Sequence, residues 1–224
     1  MNKKLFLAAG VAAAFECKVT LKAQHIDRAV KNAAEIRKLL PLRHGSPYRS
    51  LNSSLLYGLL AHSHVWKGKG STPKQNIQGR LWSADTDSVR HPRESLDVLC
   101  VADLTTWVST KLPKIAGSTL TGYVMATSTG RLTVTTAVTP IGDMIAFLLR
   151  RLAWEDMSLR DLATYFDVVI GVSGEGSLRT WNIDMTIYSK EEVEIMSRRL
   201  PGEPDEEGWS VPSDPWSEWS VSGW

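Results

Sequence analysis

His62 and His64 stand one residue apart in the apolar run "SLLYGLLAHSHVW". On a strand, side chains two apart face the same way, so the pair could begin a metal site. Zinc asks for three or four protein ligands, and neither His44, His91 nor any carboxylate is fixed nearby by spacing. Asp85 and Asp87 form a carboxylate pair in "DTDSVRHPRES", where a solvated loop is the expectation. "GVSGEG" has the outline of a nucleophile elbow, but Glu175 occupies the place of the second glycine. "KGKGSTP" lacks the spacing of a phosphate-binding loop, and Gly174 with Gly176 does not complete a dinucleotide fingerprint. Cys17 and Cys100 make neither a metal spacing nor a disulfide framework. These patterns predict a chain that is not an enzyme, with no cofactor, no resident metal and no small-molecule substrate.

Charge is the stronger signal. The 224 residues carry a net charge of only +2, yet residues 1–93 sum to +11, residues 94–190 to −2 and residues 191–224 to −7. A basic first half suits an anionic surface, either lipid headgroups or a nucleoprotein, with an ordinary solvated basic face as the alternative.

The elements that must position these residues follow from periodicity. The opening "MNKKLFLAAGVAAAFECKVTL" admits two readings. Lys3 and Lys4 followed by 11 residues from Leu5 to Phe15 fit a secretory signal, too short to span a bilayer, which takes ~20 residues. Against cleavage, "FECKVTLKA" alternates, with Phe15, Cys17, Val19 and Leu21 on one side, and predicts the first strand of a folded body. "DRAVKNAAEIRKLL" has helical spacing, with Asp27 as N-cap and Pro41 as stop. "SLLYGLLAHSHVW" predicts a strand, "KGKGSTPKQN" a loop and "IQGRLWSA" a short strand. "ESLDVLCVADLTTWVSTKL" places Leu96, Leu99, Cys100 and Trp107 near helical spacing and leans to a helix, although its Val and Thr content suits a strand. "STLTGYVMATSTGRLTVTTAVTP" predicts a hairpin. "PIGDMIAFLLRRLAWEDMSLRDLATYFD" predicts a helix, a break at 155–157 and a second helix. "VVIGVSGEGSLRTWNIDMTIYS" predicts a final hairpin.

Residues 130–190 carry a further signal. Gly130–Thr139, Ile141–Trp154, Ser158–Phe166, Val168–Val172, Ser173-Gly174, Thr180–Ile187 and Tyr188–Lys190 follow one another in a distinctive order. They form a Gly-led Thr-rich strand, a helical stretch and a Ser-x-x-Arg helix ending in Phe, then an apolar strand, a turn and a Trp-bearing strand. This order resembles the C-terminal part of rhabdovirus matrix proteins of the vesiculovirus type. "FECKVTL", "AEIRKLL" and "YRSLNSSLLYGLLAHSHVWKGKGSTP" are similar to earlier parts of that family, so the likeness spans roughly residues 15–190. Residues 76–128 depart from it, and neither a long Lys-rich arm nor a Pro-Pro-x-Tyr motif is present.

The resemblance implies a viral structural protein beneath the virion envelope, found also in host cytoplasm and on the inner face of host membranes. Its implied partners are anionic membrane lipids, the viral ribonucleoprotein (nucleocapsid), further copies of itself and host sorting machinery used in budding. The basic candidates for membrane or nucleocapsid binding are Lys3, Lys4, Arg43, Arg49, Lys67, Lys69 and Lys74, at ~1 kcal/mol per basic residue near an anionic surface. Pro212, Ser213, Asp214 and Pro215 are similar to a Pro-Ser/Thr-Ala-Pro late motif, with Asp214 in place of the small residue. The acidic tail holds four of the nine tryptophans, Trp209, Trp216, Trp219 and Trp224. Exposed tryptophan is costly and enriched at binding hot spots, so the tail is expected to dock on a partner.

The expected organisation is a short apolar and basic arm over residues 1–14, one α+β domain over 15–200, and a disordered acidic tail over 201–224. The domain should hold a mostly antiparallel sheet with two to four helices. The competing expectation is an exported bacterial envelope-associated binding protein with a cleaved leader.

Overall fold

A computed structural model describes residues 10–115, 118–128, 139–169, 172–173, 176–182, 186–199 and 216–219. The strand expected over 130–139 therefore lies outside the described residues, apart from Thr139.

The chain is one α+β domain built on a six-stranded mixed sheet of order β1-β2-β3-β4-β5-β8. β1 (Ala13–Leu21) runs parallel to β2 (Leu56–His64), and β2 runs parallel to β3 (Val98–Val101). Parallel neighbours need long crossovers. These are α1 (Ala23–Lys38) with α2 (Pro47–Leu51), then α3 (Pro73–Ser88). From β3 the sheet is antiparallel through β4 (Thr105–Ile115), β5 (Ser118–Met125) and β8 (Gly176–Asn182). The mostly antiparallel expectation holds for three of these five pairings. Beyond lie β6 (Thr127–Ser128), β7 (Val172–Ser173), α4 (Pro140–Glu155), α5 (Arg160–Val169) and α6 (Lys190–Arg199).

Side-chain alternation divides the sheet into two faces. On β3, Leu99 and Val101 point to one core and Val98 and Cys100 to the other. The first core takes Ile26, Ala29, Val30 and Ala33 of α1 and Ile77, Leu81 and Ala84 of α3, closed by Trp107 and Tyr123. The second takes Met144 and Phe147 of α4. The result is three layers, with α1 and α3 on one side of the sheet and α4, carrying α5, on the other.

Several local expectations are corrected. α1 begins at Ala23 rather than at Asp27, because His25 Nδ1 accepts the Lys22 N–H (3.2 Å) and closes the first turn. "IQGRLWSA" is helical and belongs to α3, which starts at Pro73. "ESLDVLCVADLTTWVSTKL" is the β3–β4 hairpin rather than a helix, since Val98, Leu99, Cys100 and Val101 are buried on both faces. Among the described residues the expected final hairpin pairing is replaced: β7 pairs with β6, and β8 with β5. In β1 the expected sides hold only in part, because Phe15 packs into the second core and Leu21 is fully buried in the first. Cys17 and Val19 are exposed, whereas Glu16 lies under α1, taking hydrogen bonds from Asn32 (2.7 Å) and Tyr57 Oη (3.0 Å). Six α-helices appear among the described residues, more than the two to four expected.

A third apolar cluster lies beyond the start of β2, where α2, the end of α4 and α6 meet around Tyr48, Leu51, Trp154, Tyr188 and Met196. Buried Glu192 of α6 ties it together, accepting from the Gly45 N–H (3.0 Å), Ser50 Oγ (2.9 Å) and the Ser189 N–H (2.7 Å).

Candidate functional site

The metal reading of His62 and His64 finds no support in the geometry. His62 is exposed, His64 is buried, and no group of three metal-ligating side chains is set to hold an ion among the described residues. Asp85 and Asp87 are not a solvated pair, because both sit on the last turn of α3 and point apart. Asp85 is buried. It accepts from Tyr123 Oη (2.9 Å) and faces Arg179 (3.5 Å), whose guanidinium stacks over Trp181 at 3.8 Å. Burial pushes the Asp85 carboxyl up, against the Tyr123, Ser95 and Arg179 contacts that favour its charged form.

The densest buried chemistry was invisible to pattern reading. Asp97, at the threshold of β3, is fully buried with Arg37 of α1 and Lys111 of β4. Its carboxylate pairs with the Arg37 guanidinium, accepts the Tyr57 N–H (2.8 Å) and lies 3.8 Å from Lys111 Nζ. Burial alone would raise the Asp97 carboxyl, but Arg37, Lys111 and Arg151 outweigh it and hold it below the usual range. Lys111 donates to the Leu51 carbonyl (3.0 Å). Burial pushes its ammonium down to about 7, opposed by Asp97 and reinforced by the Arg151 and Arg37 charges. Arg151 of α4 donates to Tyr48 Oη (3.1 Å) and the Ser53 carbonyl (3.2 Å).

A carboxylate beside a lysine near neutrality is a pattern that active sites share with structural ion networks. Here Asp97, Arg37 and Lys111 are each 2 % exposed or less. Each bond runs to another element of the fold, so the centre links α1, α2, β2, β3, β4 and α4 through the middle of the molecule. Burial keeps any substrate from these groups, and the arrangement works as an internal staple.

The basic candidates separate into two places. Arg43 chelates Glu155 (2.7 and 3.0 Å), and Arg49 reaches the Glu218 carboxylate through Nε (2.9 Å), both before the start of β2. Lys67, paired with Asp103 (3.4 Å), exposed Lys69 and half-buried Lys74 follow the end of β2. The nine residues of β2 separate the two groups by roughly 27 Å at ~3.3 Å per residue. Lys3 and Lys4 lie outside the described residues.

A basic surface does form, mostly from residues outside the basic site candidates. Lys22 at the N-cap of α1, Arg28 and Lys31 on its outer side and Lys38 at its end are all exposed on the α1–α3 layer. Helical spacing sets Arg28, Lys31 and Lys38 off the apolar face of α1; it sets Arg37 there too, but the structure buries Arg37 against Asp97. The opposite layer is different. Ile141 and Ile145 of α4, Met157 in the 3₁₀ turn before α5, and Leu162 and Tyr165 of α5 are exposed, Met157 at 72 % and Tyr165 at 65 %.

The tail tryptophans that are described fold onto the chain's own body. Trp216 meets Trp154 edge-on (5.2 Å between centroids) under the Arg160 guanidinium (5.3 Å). Trp219 packs against the same cluster as Trp216. Between them, the Glu218 carboxylate takes hydrogen bonds from Arg49 and from Ser46 Oγ (2.6 Å), while its carbonyl accepts the Tyr48 N–H (3.1 Å). Trp209, Trp224 and Pro212, Ser213, Asp214 and Pro215 lie outside the described residues.

No family model matches this chain, and no curated protein matches it. Among solved structures it is similar to NucC of P. aeruginosa in its cAAA-bound form, at 18% identity and a TM-score of 0.34. That match covers 81% of this chain, which spans 58% of the NucC chain. A likeness this shallow carries no argument about activity.

Proposed function

We propose that this chain is a viral matrix-type structural protein, of the kind the rhabdovirus resemblance implies. It lies beneath the envelope, bridges the inner face of the membrane and the nucleocapsid, associates with copies of itself and promotes assembly and budding. The observation that carries this reading is the division of the slab. Exposed Lys22, Arg28, Lys31 and Lys38 mark one helical layer, and exposed Ile141, Ile145, Met157, Leu162 and Tyr165 mark the other.

The basic layer suits lipid headgroups, since clustered Lys and Arg are attracted to the anionic leaflet within about a Debye length, ~8 Å at physiological salt. Apolar side chains on the far layer suit contact with further protein. No helix among the described residues is long and apolar enough to cross a membrane, so attachment in this reading is peripheral. β1 starts at Ala13 and pairs Ala13 with Leu56 and Ala14 with Tyr57. A leader cut after Ala14 would delete those pairs, which favours the matrix reading over the exported one.

Flotation of the full chain with vesicles tests the proposal. Binding to anionic vesicles that weakens with added salt supports it. Equal binding to neutral and anionic vesicles, or none to either, overturns it.

A further inference from the structure

We propose that residues 216–219 are an exchangeable ligand, and that the groove they fill also accepts the same segment of a second copy, so that copies associate by trading tails. The four residues behave as a docked peptide. Glu218 supplies the charge, met by Arg49 and Ser46, and its carbonyl is met by the Tyr48 N–H. Trp216 supplies the aromatic anchor, held between Trp154 and Arg160. An aromatic seated in an apolar pocket beside a paired charge is the usual composition of an interaction hot spot.

The length of chain outside the groove favours a second copy as partner. Val193 and Met196 of α6 pack in the same cluster as Trp216 and Trp219, so a return within one molecule needs only a short turn. Residues 200–215 intervene instead. Sixteen residues can extend up to roughly 55 Å, about three times the ~17 Å radius of gyration expected for a folded chain of this size. That is enough to reach the same groove on a touching neighbour. Within one molecule the tail sees its groove at a high effective concentration. Exchange therefore becomes favourable when copies are crowded, as in a layer under an envelope. Trading an identical element needs no new contact, which makes it a low-cost route to association. The exchange deepens the self-association part of the proposed function, but it rests on the groove alone and is tested without lipid.

A charge swap in the full-length protein decides the matter. Arg49→Glu pits its groove against its own Glu218, and Glu218→Arg pits its tail against its own Arg49. Each variant alone should sediment as a monomer. Mixed one to one, each groove meets a complementary tail only on the other variant, so the mixture should form heterodimers at least tenfold more tightly than either variant self-associates. The double variant Arg49→Glu/Glu218→Arg restores the match within one chain and serves with circular dichroism as the control for folding. Monomers in a mixture of folded variants, or single variants that associate as tightly as the mixture, would overturn the exchange. Neither result would touch the membrane reading, which flotation judges separately.

Discussion

Lys111 Nζ lies 3.8 Å from the Asp97 carboxylate and 3.0 Å from the Leu51 carbonyl, with both side chains only 2 % exposed. This pair joins the antiparallel half of the sheet to the crossover segments, and Arg37 and Arg151 complete the centre. Its energetics are unequal, because Asp97 answers several cations while Lys111 is one of several. Asp97→Ala strands Arg37 and Lys111 without their counterion. Removing one partner of a buried pair costs about 3–5 kcal/mol, and that loss is expected in urea unfolding. Lys111→Met leaves the Arg37–Asp97 pair intact and is expected to cost less than half as much. Equal losses for the two variants would remove the staple as the explanation.

The same lysine sets a slope in alkaline stability. It is protonated up to about 10.5 in the unfolded chain but only to about 7 in the folded one. Between those values the unfolded state binds more protons, so stability rises with pH across the window. Lys111→Met should flatten that rise. A wild-type curve with the same slope as the variant would contradict the assignment.

His91 produces a loss on the acid side. Burial first, and then the Arg93 charge, push its imidazole from 6.5 down to about 4, while its Nδ1 accepts the Arg93 N–H (3.2 Å). As pH falls through this window the unfolded chain gains a proton that the folded chain refuses. The contribution lost is on the order of 3 kcal/mol. The difference in stability between wild type and His91→Gln should therefore change between pH 7 and pH 4. A difference independent of pH would show that His91 titrates normally.

Gly122 marks a close approach between β5 and β8. A Cβ there would collide with the Ser177 carbonyl, so Gly122→Ala must push the edge strand away. Overpacking of this kind typically costs about 1–3 kcal/mol, visible as a lowered Tm. An unchanged Tm would mean that β8 can shift freely.

Legibility differed between elements for physical reasons. α1 and α4 were readable because each buries one stripe and exposes the other. The β3–β4 hairpin was not, because the four residues of β3 are buried on both faces and show no alternation. Part of α3 has the sequence character of a strand, since its apolar positions are few and its buried Asp85 looks like a surface residue in sequence. The staple was hidden altogether. Arg37 and Asp97 are sixty residues apart, and nothing local marks either as buried. The Glu218 site was similarly out of reach, because its Arg49 partner lies 169 residues away. The acidic and tryptophan-rich composition of the tail points to docking on a partner, whereas Trp216 and Trp219 pack on the chain's own body.

The basic layer of α1 is the central claim, and vesicle flotation of a charge-stripped variant tests it most directly. With Lys22, Arg28, Lys31 and Lys38 replaced by Ala, the chain keeps its buried stripe and loses about 4 kcal/mol of attraction at ~1 kcal/mol per basic residue. The account predicts that wild type floats with anionic vesicles at physiological salt and that the folded variant stays with the pellet. A variant that floats as well as wild type would contradict it.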